Sequence, residues 1–369
     1  MKFLDQIDEA GREAVIAALL SEMGLIGKVR NLTGGKFGTI YKIDYTNSDI
    51  DRVAKCPNFI QFDSKNDRKK VFEKAFYELE KTYDVRHNPW FNTFIDLKMI
   101  VNWPFFISRY WDFTLFDLIG NPSKWNLSDK IQVCLIVLRG MITAQEVGIR
   151  SHQDLKPENV FIKDFGKSLI GSSEGNGIKY WPKIGDLGMA DAFSAFGMNS
   201  ASRPYQAPEQ YKKDFIDEEA ALKLDCFAFG VLFHEIFTDG IHPIGEKTRD
   251  VWPNPLNGQK KWTRENIWKN WARKENKNLD FLPCSLGPEL RELILKMLSA
   301  NPQRRPTLQD AFTDLTAIFS KIDINRCNTV LMQIKYIEEA QLAQNSEGGS
   351  DWPHLFKMMK EVRNFFSRL

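Results

Sequence analysis

Ser151-His152-Gln153-Asp154-Leu155-Lys156-Pro157-Glu158-Asn159 is the stretch on which the reading of this chain turns. The order of its side chains suits phosphoryl transfer to a hydroxyl. Asp154 can orient the nucleophile and accept its proton, Lys156 can neutralise charge on the transferring group, and the Asn159 amide oxygen can hold Mg²⁺. Twenty-seven residues after Asn159 stands Asp186-Leu187-Gly188. That second carboxylate, between an expected strand and a glycine, is suited to hold a metal against nucleotide phosphates.

Upstream lies a glycine cluster, Thr33-Gly34-Gly35-Lys36-Phe37-Gly38-Thr39-Ile40, and seventeen residues after Gly38 comes Lys55 in Arg52-Val53-Ala54-Lys55. Glycines let a backbone approach phosphates closely and adopt φ values closed to other residues. Downstream stand Ala207-Pro208-Glu209, Asp225 and Arg304-Arg305-Pro306-Thr307.

In this order the motifs resemble those of eukaryotic-type Ser/Thr protein kinases, from about Leu32 to Phe319. The family's H-R-D-L-K-P-x-N appears with Gln153 in the arginine place, and D-F-G appears as D-L-G. The resemblance implies an α+β, bilobal protein kinase-like fold. Its antiparallel-sheet N-lobe would span residues 26–109 and its mainly helical C-lobe 110–320, with ATP between them. Residues 1–25 would form an N-terminal helical extension and 321–369 a C-terminal one.

The resemblance also implies roles. Asp154 becomes the catalytic base, Lys156 and Lys55 the phosphate contacts, and Asn159 and Asp186 the Mg²⁺ ligands. Thr33, Gly34, Gly35, Gly38 and Ile40 would surround the nucleotide, with Thr33 where the family has its first glycine. Phe106 to Tyr110 would supply the hinge for adenine. Asp225 would brace the catalytic loop, and Arg305 would pair with Glu209. For the glutamate that partners Lys55, spacing to the His87-Asn88-Pro89 turn favours Glu78. Glu73 and Glu80 are alternatives that helix phase does not separate.

ATP-dependent transfer to Ser or Thr hydroxyls of proteins is therefore expected, Ser202 and Tyr205 matching the Ser/Thr rather than the tyrosine pattern. The competing expectation is a catalytically impaired pseudokinase that binds ATP or a partner. Lys55, Asp154, Asn159 and Asp186, whose loss would mark such a protein, are all present. Gln153 cannot pair with a phosphorylated activation-loop residue as an arginine would, so activity without such phosphorylation is expected. Ser194, Ser200 and Ser202 remain candidate autophosphorylation positions.

The 369 residues are 43% hydrophobic and 27% charged, which is the texture of a globular chain and excludes disorder as the main state. A net charge of +2 gives no whole-molecule attraction to nucleic acid or membrane. Five scattered cysteines without a C-x-x-C pair suit reduced thiols, no disulfide partner and a cytoplasmic location. No stretch is long and apolar enough for membrane insertion.

Residues 164–182, rich in Gly, Ser and Lys, suggest an enlarged hairpin loop. Gln259 to Lys277 carries seven basic and two acidic residues around Trp262, Trp268 and Trp271. The expected arrangement is a helical segment with its indoles on the core and a solvated basic face; nucleic-acid binding is the weaker reading and an acidic protein partner the stronger. From Leu355 to Leu369 an amphipathic stripe suggests a helix that docks within the chain or on a second copy.

Overall fold

The structure, a computed structural model, describes residues 8–22, 27–34, 39–45, 51–56, 65–100, 103–111, 113–165, 177–196, 202–211 and 216–346. The expected stripe from Leu355 to Leu369, together with Gly35, Gly38 and Ser200, lies outside them.

The β-branched and aromatic segments near the start build a five-stranded antiparallel sheet. Its strands are β1 (Gly27–Gly34), β2 (Thr39–Tyr45), β3 (Arg52–Cys56), β4 (Phe94–Ile100) and β5 (Trp103–Arg109), in the order β1-β2-β3-β5-β4. Successive side chains alternate between faces of a strand. In β3, Ala54 and Cys56 are accordingly buried, while Lys55 between them faces the other way and is only partly covered. Helix α1 (Glu9–Glu22) precedes the sheet and α2 (Lys65–Asp84) follows β3. Ala75, Phe76 and Leu79 give α2 its buried stripe at helical spacing.

These elements belong to one compact unit that holds the described residues up to Arg86 together with 92–111. A second unit comprises His87–Phe91 and residues from 113 to Ala343. It is mainly helical, with one small sheet of β6 (Phe113–Thr114), β7 (Val160–Asp164) and β8 (Tyr180–Ile184). β7 and β8 pair antiparallel from Val160↔Ile184 to Asp164↔Tyr180. The expected hairpin therefore exists, and its second strand begins at Tyr180, inside the stretch expected to be loop.

The second unit is organised around α3 (Leu127–Glu146) and α4 (Leu224–Phe237). A reciprocal pair starts α3: Asp129 N donates to Asn126 Oδ1 and Asn126 N to Asp129 Oδ2, each at 2.9 Å. Every residue of α4 is buried, as an all-round apolar helix must be. The chain between Glu218 and Phe237 is two helices, broken at Lys223. Asp217 caps Glu218–Leu222, accepting from Ala220 N at 2.7 Å, and α4 begins only after Lys223.

Short helices follow, at Thr248–Val251 and then α5 (Lys261–Arg264) and α6 (Ile267–Ala272), before α7 (Gly287–Met297), α8 (Leu308–Ile322) and α9 (Ile324–Ser346). Trp262, Trp268 and Trp271 are buried, with Trp268 Nε1 donating to Trp262 O at 2.7 Å. The basic segment thus turns its indoles inward, as expected.

Helix α9 was expected as part of an extension, but its N-terminal part is built into the second unit. Cys327, Val330 and Ile334 form its buried stripe. Arg326 Nη2 meets Asp129 at 2.5 Å, and Glu338 accepts from Arg139 at 2.8 and 3.0 Å and from Trp90 Nε1 at 2.8 Å. Long-range charge pairs that spacing does not reveal hold it in place.

Candidate active site

In the first unit, Lys55 sits on β3 opposite Ile40 of β2 and Phe106 of β5. Its Nζ is 2.6 Å from Glu78 Oε1, and Glu78 is buried on α2. Of the three glutamates weighed as partners, Glu78 is the one in this ion pair. Its carboxylate fixes the ammonium at the end of a flexible stem, leaving a point charge in a defined position. Thr33 and Gly34 end β1, paired with Ile40 and Thr39, and Ile40 is half-buried.

In the second unit, the quoted stretch is held from below by the first turn of α4. Asp225 accepts from His152 N at 2.6 Å and from Gln153 N at 3.1 Å. Burial pushes the Asp225 carboxyl up, against the stabilising pull of His152 and those two amides. Gln153 has φ 64°, a left-handed conformation that costs a non-glycine residue about 1–2 kcal/mol. The paired amides on Asp225 help to hold that turn. His152 Nε2 donates to Gly185 O at 2.9 Å, which leaves Nδ1 to accept from Asp154 N at 3.3 Å. The buried imidazole is therefore a brace between two loops.

The turn delivers Asp154 into a compact polar group. Lys156 Nζ is 2.8 Å from Asp154 Oδ2 and 3.0 Å from Ser202 Oγ. Ser202 donates to Asp154 Oδ1 twice, from N at 2.8 Å and from Oγ at 3.0 Å. Burial alone would lower the Lys156 ammonium, but Asp154, Glu158 and Asp186 carry it above its ordinary value, so it stays charged. Asn159 Nδ2 donates to Asp154 O at 2.8 Å and to Asp154 Oδ2 at 3.2 Å. With its nitrogen so used, Asn159 has its amide oxygen left as the side-chain atom that could hold a metal.

Asp186 follows β8 and Gly185, whose amide donates to Asn159 O at 2.9 Å. A Cβ on Gly185 would meet the Phe161 ring at 2.4 Å, so a larger residue there would have to push that ring aside. Asp186 itself adopts φ 61° and is exposed. Asn159 and Asp186 supply hard oxygen donors of the kind Mg²⁺ takes. Among the described residues no group of three or more His, Cys, Asp or Glu side chains is arranged to hold a metal. An ion here would complete its shell with water and substrate phosphates, which is the habit of Mg²⁺.

The sequence matches a family model described as protein kinase domain over residues 27–315. The chain belongs to the protein kinase family. Among curated relatives, this kinase is 25% identical over 211 residues to the serine/threonine-protein kinase/endoribonuclease IRE1 of Oryza sativa, 55% of this chain and 19% of the relative. It is 26% identical over 247 residues to the serine/threonine-protein kinase PTK2 of Candida glabrata, covering 58% and 30%. It is 22% identical over 314 residues to the receptor protein-tyrosine kinase CEPR1 of Arabidopsis thaliana, covering 76% and 30%. The kinase thus spans less than a third of the length of these relatives.

Three features of the kinase site had little signal in sequence. Asp191, buried at φ 51°, accepts from Ser151 N at 3.0 Å, yet in sequence it resembles any turn aspartate. Gln153 Oε1 accepts from Phe193 N at 3.0 Å, a contact between segments 40 residues apart. Below them, Tyr205 OH donates to buried Glu235 at 2.8 Å and Thr248 Oγ1 donates to the other carboxylate oxygen. The one hint was a His234-Glu235 pair near the end of a helix whose only other charged residue is Asp225.

Arg305, also buried, pairs with Glu209 at 2.8 Å and donates to Ser299 O and Lys223 O. These partners satisfy a charge that would otherwise be costly to bury. Among the described residues no helix is long and apolar enough to cross a membrane.

Proposed function

We propose that this kinase is an active, ATP-dependent serine/threonine kinase. The observation that carries the reading is the cluster in which Asp154 binds both Lys156 and Ser202 through opposite carboxylate oxygens. A carboxylate so fixed can orient an acceptor hydroxyl and take its proton as the oxygen attacks the γ-phosphorus. A bond forms from that oxygen to phosphorus, the bond to the bridging oxygen breaks, and ADP leaves. Lys156, kept charged, stabilises negative charge at the transferring group. Lys55, fixed by Glu78, is assigned to the α- and β-phosphates.

Asn159 and Asp186 would hold Mg²⁺, which supplies neutralisation of phosphate charge when bound. Thr33, Gly34, Gly35, Gly38 and Ile40 are assigned to the nucleotide. Ser202 supports transfer to aliphatic hydroxyls, since its own hydroxyl shares Asp154 with the acceptor. Four of the five cysteines are buried and all are free thiols, which supports a cytoplasmic setting.

Phosphate transfer from ATP to a serine- and threonine-containing protein is measured with wild type and Asp154→Asn, followed by phosphoamino-acid analysis. Phosphoserine or phosphothreonine lost in the variant is expected. Equal background signals from both proteins would establish the pseudokinase reading instead, and phosphotyrosine as the main product would contradict the substrate class.

A further inference from the structure

The basic Trp-rich segment is not used by the reaction above, and its geometry is specific. The indoles of Trp262, Trp268 and Trp271 are buried, so what α5 shows to solvent is charge. Lys260, Lys261 and Arg264 are all exposed, and their spacing of three and four residues groups them on one helical turn. None of the three has an ion-pair partner among the described residues. The next acidic residue on the C-terminal side after Glu265 is Glu275, which faces Arg304 at 3.9 Å.

A short chain of contacts joins this turn to the acceptor site. Arg203 Nη1 donates to Thr263 O, between Lys261 and Arg264, at 2.7 Å. Arg203 is exposed and directly follows Ser202, whose amide and hydroxyl bind Asp154. An extended peptide advances about 3.4 Å per residue. A substrate whose hydroxyl lies at Asp154 therefore reaches Arg203 and α5 within roughly five residues.

We propose that Arg203, Lys260, Lys261 and Arg264 form a docking surface selecting protein substrates that carry glutamate or aspartate close to the acceptor hydroxyl. The proposal rests on the protein-kinase reading and adds the substrate class. Four exposed cations beside the site, with no carboxylate partner among the described residues, attract acidic chains and repel basic ones. Exposed charges act mainly through encounter and salt-sensitive affinity. Single-stranded nucleic acid is also anionic, but it binds through aromatic platforms on which bases stack. The indoles that could supply one here are in the core.

The test uses the full chain and three matched peptides, each with one serine flanked by glutamate, alanine or lysine. KM is expected to be about tenfold lower for the glutamate peptide than for the lysine peptide, with the ratio shrinking as salt is raised. In the Lys260→Glu/Lys261→Glu/Arg264→Glu variant the ratio is expected to fall to about one, while Lys261→Arg/Arg264→Lys retains it. Fluorescence anisotropy of the labelled glutamate peptide reads the same surface without turnover. A protein that transfers no phosphate yet binds this peptide, and loses it in the charge-reversal variant, would keep the surface and remove the enzyme. Equal KM and equal binding for all three peptides would overturn the proposal. So would tighter binding of a single-stranded oligonucleotide than of the glutamate peptide, lost in the same variant.

Discussion

Ser202 holds Asp154 through one carboxylate oxygen, its amide at 2.8 Å and its hydroxyl at 3.0 Å. The hydroxyl also accepts from Lys156 at 3.0 Å. Ser202→Ala keeps the amide bond and removes both hydroxyl contacts. Hydrogen bonds to charged groups contribute about 1.5–3 kcal/mol, so kcat/KM on a serine peptide is expected to fall about 10- to 100-fold. Ser202→Thr, which keeps a hydroxyl, is expected to stay within a few-fold of wild type. An unchanged kcat/KM in Ser202→Ala would show that the amide alone suffices.

Gln153 occupies the position where an arginine would need a phosphate to pair with, and its Oε1 instead accepts from Phe193 N. The segment beyond Asp186 is thus pinned by an uncharged bond that is present from the start. Enzyme treated with phosphatase, and verified free of phosphate at Ser194 and Ser200, is expected to keep its kcat. Loss of activity that returns only on phosphorylation at either serine would contradict this. Gln153→Leu removes the acceptor and is expected to lower activity whatever the phosphorylation state.

The stretch around Asp154 was legible because its residues lie close together: Asp154, Lys156 and Asn159 are within six residues, and their order suits the proposed reaction. The antiparallel sheet was expected from the resemblance, and Val71, Phe72, Ala75, Phe76 and Leu79 of α2 recur at helical spacing. What sequence left open depends on contacts across long separations. Glu78 lies 23 residues from Lys55, and helix phase permits its neighbours equally. The Asp225 brace and the Arg305–Glu209 pair were expected from resemblance alone. The Tyr205–Glu235 pair and the docking of α9 on α3 involve ordinary-looking residues that only the tertiary fold brings together.

Burial pushes the Glu235 carboxyl up to about 8, against the hydrogen bonds from Thr248 and Tyr205. Its ordinary value is near 4.5, so between these values the folded protein binds a proton that the unfolded chain releases. The stability contributed is full below pH ~4.5 and declines by about 1.4 kcal/mol per unit until pH ~8 is passed. Glu235→Gln mimics the protonated group and does not titrate. Its Tm relative to wild type is expected to rise steadily from pH 5 to 8 and then level off. A constant difference across that range would show that the carboxyl titrates normally.

Glu338 joins α9 to two parts of the second unit, accepting a forked pair of bonds from Arg139 and one from Trp90 Nε1. Both its oxygens are engaged, and its side chain is about four-fifths covered, at 20% exposure. Replacement by alanine leaves a three-quarters-covered guanidinium with only Glu146 at 3.7 Å and strands a buried indole nitrogen, a cost of about 2–3 kcal/mol. For a unit of this size that corresponds to a Tm drop of roughly 4–12 °C. Glu338→Gln, which can still accept once from each donor, is expected to lose less than half as much. In the double variant Glu338→Ala/Arg139→Met the unpaired charge is gone, so the loss is expected to be smaller than the sum of the single losses. Strict additivity in that cycle would mean that Glu338 and Arg139 stabilise the fold independently rather than as a pair.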